Sequence, residues 1–210
     1  MQTDLDPRDR ALQAHTPAII VPRFSELAPL EHNGHRYLIA EDGVYLELRR
    51  PWMRIVWPVA PAEAPLPFGQ APEIGARLDF DWKQLTALLD PFERDAHLAM
   101  PNEFAAWITW KPNGSGGHTL DYRPLLASEA TPGGLDLIRP ALAEGEHLVA
   151  DLHSHGAMEA FFSAIDDEDD AGEVKYAAVL GGLGTDAPRW KMRLCLPGGQ
   201  FVDEDEWAER

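Results

Sequence analysis

A chain of 210 residues with 45% apolar and 25% charged residues has the composition of a globular protein, and its length allows one sizeable core with a smaller unit appended. A formal net charge of −17 argues against nucleic acid as the main partner, because phosphate binding needs a basic surface. The single cysteine, Cys195, rules out an intramolecular disulfide. Met1 to Arg10 is polar and lacks the apolar core of a signal peptide, and the apolar runs are too short for a membrane span, so a cytoplasmic protein with no membrane partner is expected.

Residues 1–17 read as a flexible polar lead, followed by a short apolar run, Ala18 to Val21, closed by Pro22. Tyr37 to Ala40 and Val44 to Leu48 flank Asp42-Gly43, and an Asp-Gly pair between apolar runs predicts a hairpin. Trp52 to Val59 is a further strand candidate, with Trp52 and Trp57 expected to pack rather than bind. Prolines 58, 61, 65, 67 and 72 then exclude continuous helix or central strand, and 58–75 is read as a stiff extended linker. From Asp79 to Met100 the apolar residues Leu85, Leu88, Leu89, Phe92 and Ala96 recur at helical spacing, with Pro91 expected to kink or split the helix. Strands are predicted over Phe104 to Trp110, Thr119 to Leu126, Leu135 to Ile138, His147 to His153, Val174 to Leu180 and Trp190 to Leu196. Gly198-Gly199 turns the chain into Phe201. No internal repeat is evident.

The most informative stretch is Asp151 to Asp170, Asp-Leu-His-Ser-His-Gly-Ala-Met-Glu-Ala-Phe-Phe-Ser-Ala-Ile-Asp-Asp-Glu-Asp-Asp. A strand places alternate side chains on one face, so His153 and His155 project together, as two imidazoles on one metal must. Ser163 and Asp166 are three apart and share a face of a helix. Ser163 also has the character of a helix N-cap, with acidic residues in the first turn. His153, His155 and Asp166 are thus candidate ligands for Zn²⁺. Three protein ligands with one open position describe a catalytic zinc site, whose water reaches a pKa of about 7. Other divalent ions suit two histidines and one aspartate as well.

Glu103, after Pro101 and at the start of an apolar strand, is the best candidate for a general base. Asp151 shares the face of His153, where it either orients that imidazole, caps a loop or faces solvent. His118 and His147 lack partners at ligand spacing and read as surface residues, and Asp167 to Asp170 reads as a solvated helix start. Cys195 reads as a small strand residue. One cysteine cannot supply the Cys-x-x-Cys pair of a nucleotide deaminase, and neither a His-Glu-x-x-His helix nor a phosphate loop is present.

The pattern His153-x-His155-x7-Ser163-x-x-Asp166 resembles the metal-binding signature of the JAMM (MPN+) metalloprotease family, and Glu103 matches the catalytic glutamate that precedes an apolar strand in that family. The resemblance implies a zinc-dependent peptidase or isopeptidase in which Glu103 moves the proton and Ser163 donates to the oxyanion. It also implies an α/β (α+β layered) fold with a mixed sheet flanked by helices. The expected organisation is a β-rich extension over 1–57, the linker over 58–75, the metalloprotease domain over 76–202 and an acidic tail over 203–210. Gly156 departs from the proline that many members carry after the second histidine. The wider wording, with the β-rich extension, is similar to a narrower bacterial group, the PRTRC system A proteins. That group is encoded beside a ubiquitin-like protein and proteins resembling activating and conjugating enzymes. The implied partner is therefore a ubiquitin-like protein, cut at its C-terminal tail. A non-catalytic MPN scaffold and a small-molecule amidase using the same site are the alternatives.

Overall fold

The computed structural model describes residues 5–203, so the expected acidic tail lies outside the described residues apart from Asp203. The chain divides into two units, one running to Asp79 and one from Phe80. It is a mixed α and β protein, as its sequence predicts.

The first unit contains helix α1 (Pro7–His15) and a five-stranded sheet. Its strands are β1 (Ala18–Ile20), β2 (Gly34–Ile39), β3 (Gly43–Arg50), β4 (Met53–Pro61) and β5 (Gly75–Leu78), in that spatial order. The segment expected as a flexible lead therefore contains a helix, started by Asp6 accepting from the Arg8 N–H and by Pro7 in the first turn. None of its residues is buried, which is why no apolar stripe announces it. The hairpin predicted around Asp42-Gly43 is formed by β2 and β3, with Ile39 opposite Val44. Trp52 and Trp57 are buried in the core of this unit.

The segment 58–75 is not a free linker. Pro58 to Pro61 complete β4 against β3, and the chain then folds back: Ala62 N–H donates to the Asp42 carbonyl, Leu66 N–H to Glu41 and Gly69 N–H to Val21. β5 ends the segment by pairing with β4. The prolines fit because β4 meets β5 only as far as Val56, so from Pro58 onward β4 is an edge strand that loses nothing by lacking an N–H there.

The second unit opens with α2 (Trp82–Thr86) and α3 (Leu89–Ala99). The predicted helix is split three residues before Pro91, which places the proline in the first turn of α3, where an N–H has no intrahelical acceptor anyway. The remaining elements are β6 (Ala105–Pro112), β7 (His118–Pro124), β8 (Leu126–Thr131), β9 (Gly134–Ile138), β10 (His147–Ser154), α4 (Ala164–Asp170), β11 (Lys175–Gly181), β12 (Arg189–Leu196) and β13 (Gln200–Asp203). Six of these strands form one mixed sheet in the order β13-β12-β11-β10-β6-β7, in which β10 and β11 run parallel and all other neighbours antiparallel. β8 and β9 form a separate hairpin whose Leu135 and Leu137 pack on Ala105 and Trp107 of β6. Among the described residues no helix is long and apolar enough to cross a membrane.

A buried carboxylate fixes the entry into β10. Glu146 accepts from Thr109 Oγ1 at 2.7 Å, Arg123 Nη2 at 2.7 Å and the Ala143 N–H at 2.9 Å. Burial favours its neutral form, but the bonds to Ala143, Thr109 and Arg123 outweigh burial and hold its carboxyl below the ordinary glutamate range. A depressed folded pKa stabilises the fold above the unfolded pKa and is lost as pH falls through the folded value. Glu146→Gln is therefore expected to lower the urea midpoint at neutral pH. The gap to the parent should close as pH falls below the ordinary glutamate pKa, and a gap that is independent of pH would refute the assignment.

Candidate metal centre

The alternation along β10 sets Asp151 and His153 on one face of the sheet. His155 lies just beyond the strand, but its N–H still donates to the Leu180 carbonyl at 2.9 Å, so the extended run along β11 continues one step further. The two imidazoles converge, with Nε2 to Nε2 at 3.2 Å. His155 Nδ1 is 3.2 Å from the Glu159 carbonyl, which can only accept, so the proton sits on Nδ1 and the Nε2 lone pair is free. Phe161 meets the same ring edge-on at 4.6 Å.

The third group comes from the start of α4. Ser163 is its N-cap, and Asp166, three residues on, completes a reciprocal capping box. The Ser163 N–H and O–H both donate to Asp166 Oδ2, at 2.6 and 2.7 Å, while the Asp166 N–H returns a bond to Ser163 Oγ at 3.2 Å. That leaves Asp166 Oδ1 facing His153 Nε2 at 3.4 Å. The cap and the acidic first turn expected at Ser163 thus coexist with convergence on the histidines. The hydroxyl proton expected for an oxyanion is directed at Asp166 in this structure.

One donor atom from each of His153, His155 and Asp166 falls within 4.8 Å of the others. Donors about 2.0–2.1 Å from a tetrahedral zinc stand roughly 3.3–3.4 Å apart, so the separations of 3.2 and 3.4 Å fit that geometry. Protonation fits as well. Burial pushes the His153 pKa down despite the opposing field of Asp166. Burial alone would raise Asp166, but His153 and the Ser163 bonds prevail and its pKa lies below the ordinary aspartate range. A neutral imidazole and an ionised carboxylate are the forms that metals bind.

Glu103 opens into the same cleft, a space of about 430 Å³ also lined by Leu135, Met158 and Ser163. Its N–H donates to the Thr131 carbonyl at 3.0 Å, which ties it to the β8–β9 hairpin. The next residue, Phe104, is bonded twice to Ser154: its N–H donates to Ser154 Oγ at 3.0 Å, and its carbonyl accepts the Ser154 N–H at 2.9 Å. The serine between the two histidines, for which the sequence predicts no role, therefore sets the candidate base against β10. Burial pushes the Glu103 pKa up, with His155 pulling it down and Asp166 adding to the rise.

The loop after His155 lies over a glycine run. Gly182 N–H donates to the Met158 carbonyl at 2.6 Å and Leu183 N–H to the Gly156 carbonyl at 2.8 Å. A Cβ at Gly181 would stand 2.3 Å from Ala160 N and 2.4 Å from Glu159 C, both backbone atoms. Gly156 has φ +55°, which a proline cannot adopt, so this turn as folded requires a residue other than proline. Gly181→Ala must displace the loop, and a loss of about 1–3 kcal/mol in unfolding free energy is expected by chemical denaturation. A midpoint equal to the parent's would show that the loop does not need this close approach.

Several residues around the site differ from what the sequence predicts. Asp151 neither orients His153 nor caps a loop: its Oδ2 accepts from Lys175 Nζ at 3.0 Å. The run Asp167 to Asp170 is not simply solvated, because Asp170 is buried and bridges Lys175 and Arg193. Lys175 and Arg193 are themselves buried, and no sequence pattern predicts it. His118 and His147 are half-buried and pack against Trp110 rather than standing on the surface.

The family described as prokaryotic homologs of the JAB domain matches residues 85–194. The chain belongs to this family. JAB-type domains include metallopeptidases, and some lack activity, so membership gives the fold and not the reaction. A domain of unknown function, DUF2016, matches residues 6–79. Among solved structures, protein DSY2949 from Desulfitobacterium hafniense is similar at 17% identity, with 56% of this chain and 86% of that chain covered and a TM-score of 0.41. No curated protein matches the chain.

Proposed function

We propose that this JAB-domain protein is a zinc-dependent peptidase or isopeptidase. The observation that carries the reading is the convergence of the three groups, with His153 Nε2 3.2 Å from His155 Nε2 and 3.4 Å from Asp166 Oδ1, as suits a tetrahedral ion, in a cleft that also holds Glu103. A zinc ion bound there would supply Lewis acidity and bring the pKa of water to about 7. The chain's own residues divide the remaining work. His153, His155 and Asp166 offer one donor atom each, and His155 is kept in the correct tautomer by the Glu159 carbonyl. Glu103 would take a proton from water and deliver it to the leaving amine, and its raised pKa moves it toward the range where a base can also return a proton.

Ser163 has two duties in this reading. It anchors Asp166 Oδ2, and to serve an oxyanion its hydroxyl must turn away from that carboxylate, leaving the Ser163 N–H to hold it. The substrate class proposed is the C-terminal tail of a ubiquitin-like protein. The support is the likeness to the PRTRC system A proteins, together with a cleft bordered by exposed apolar side chains, Met158, Phe161 and Ile165.

Elemental analysis of the purified chain tests the centre first, with about one zinc per chain expected. No metal after supplementation at neutral pH would leave a non-catalytic scaffold as the better reading. Glu103→Ala should keep its zinc and lose about 10²–10⁴-fold in turnover of a ubiquitin-like fusion. Retained cleavage would remove Glu103 from the role of base, and turnover of short amides without effect on any such tail would favour an amidase. Ser163→Ala separates the two duties. A fall in zinc affinity marks the anchor, and a fall in kcat of about 10²–10³-fold at saturating zinc marks the oxyanion donor.

A further inference from the structure

The short helix that carries Asp166 is an improbable one. Ala164–Asp170 is seven residues long and holds five consecutive carboxylates, Asp166 to Asp170. Acidic groups suit the first turn, but at the C-terminal end they oppose the helix dipole, and a helix this short does not persist without tertiary support. Two buried cations supply that support. Lys175 on β11, 1% exposed, meets Asp151, Asp170 and Glu173 at 3.0, 2.9 and 2.6 Å. Arg193 on β12, 4% exposed, donates from Nη2 and Nε to Asp170 Oδ2 at 2.7 and 3.2 Å and from Nη1 to Asp167 Oδ1. Its guanidinium lies between the rings of Phe162 and Phe201, with 3.8 Å to each centroid.

The connections run in one direction. Asp151 stands on the strand of His153, Lys175 links it to Asp170, and Asp170 passes the link to Arg193. Arg193 returns it to Asp167, the neighbour of Asp166. We infer that Arg193, clamped between Phe162 and Phe201, is a positioning residue that sets the ligand helix against the ligand strand and so holds Asp166 in register with His153. The inference rests on the metal-site reading above and adds to it the means by which the third ligand is held.

Charge and position predict opposite signs for one substitution. Removing a cation beside a site that binds cations strengthens binding if charge alone matters. If Arg193 positions the helix, its removal weakens binding. Zinc affinity of the full chain, measured by competition with a chromophoric chelator, reads that sign, and the visible absorption of the cobalt(II)-loaded protein reads ligand geometry without any substrate. Arg193→Gln is expected to bind zinc about 10–100-fold more weakly, the range found for groups that orient metal ligands, and to lose intensity in its cobalt bands. Arg193→Lys keeps the charge but lacks the planar fork and should fall between the two. Phe201→Leu removes one stacking face with no change of charge, and it should weaken zinc binding in the same direction.

A folded Arg193→Gln with zinc affinity equal to or above the parent's would overturn the inference while leaving the metal site intact. If Arg193→Gln does not fold, judged by its near-ultraviolet circular dichroism, Phe201→Leu decides by the same criterion. A parent chain that binds no zinc would remove the metal-site reading and this inference with it.

Discussion

Asp170 accepts from two buried cations at once, and much of the second unit depends on that arrangement. Burying charges is costly, and a buried ion pair is weak evidence of stability by comparison with apolar packing. Once such a network exists, however, deleting one member leaves an uncompensated charge, at a cost of about 3–5 kcal/mol. The network therefore favours a single arrangement of α4, β10, β11 and β12, and two of its members, Asp151 and Asp170, line the same cleft as the candidate metal ligands. Ala177, opposite both Asp151 and Arg193 in the sheet, contributes by being small.

The centre also follows from the connectivity of the sheet. β10 and β11 are parallel neighbours, and a parallel pair needs a crossover. Here the crossover is the ligand loop and α4, so the segment that must leave the sheet and return is also the one that brings Asp166 over His153. The glycines at 181 and 182 let that crossover lie close over the end of β11. The hairpin of β8 and β9 closes the other side and holds Glu103 through Thr131. The candidate ligands and the candidate base thus come from separate parts of the chain, with Glu103 tied in through the Thr131 carbonyl and through the bonds of Phe104 to Ser154.

What the sequence displayed was local. His153 and His155 share a face because strands alternate, Ser163 and Asp166 meet because a helix starts between them, and Pro91 stands where a first turn tolerates it. What it concealed was long-range or lacked periodicity. Lys175 looks like an ordinary strand lysine until Asp151, 24 residues earlier, is seen beside it. Arg193 finds Asp170 at a similar distance along the chain. β8, Leu-Ala-Ser-Glu-Ala-Thr, has little β-branched character, and α1 buries nothing, so neither gave a pattern. The prolines of 58–75 exclude a central strand, but an edge strand and a returning loop satisfy that constraint as well as a linker does.

The capping box at Ser163 has a consequence for which ions suit the site. Both donors of Ser163 are spent on Asp166 Oδ2, so the aspartate presents a single oxygen, Oδ1, toward the histidines. Calcium seeks six to eight oxygen ligands and often takes a carboxylate through both of its oxygens, while magnesium holds its waters and prefers oxygen to nitrogen. Two imidazoles with one single-toothed carboxylate answer neither demand, and they suit a small, nitrogen-accepting ion of low coordination number. A helix cap, the most local of structural devices, would thus make these three groups a poor match for calcium and magnesium.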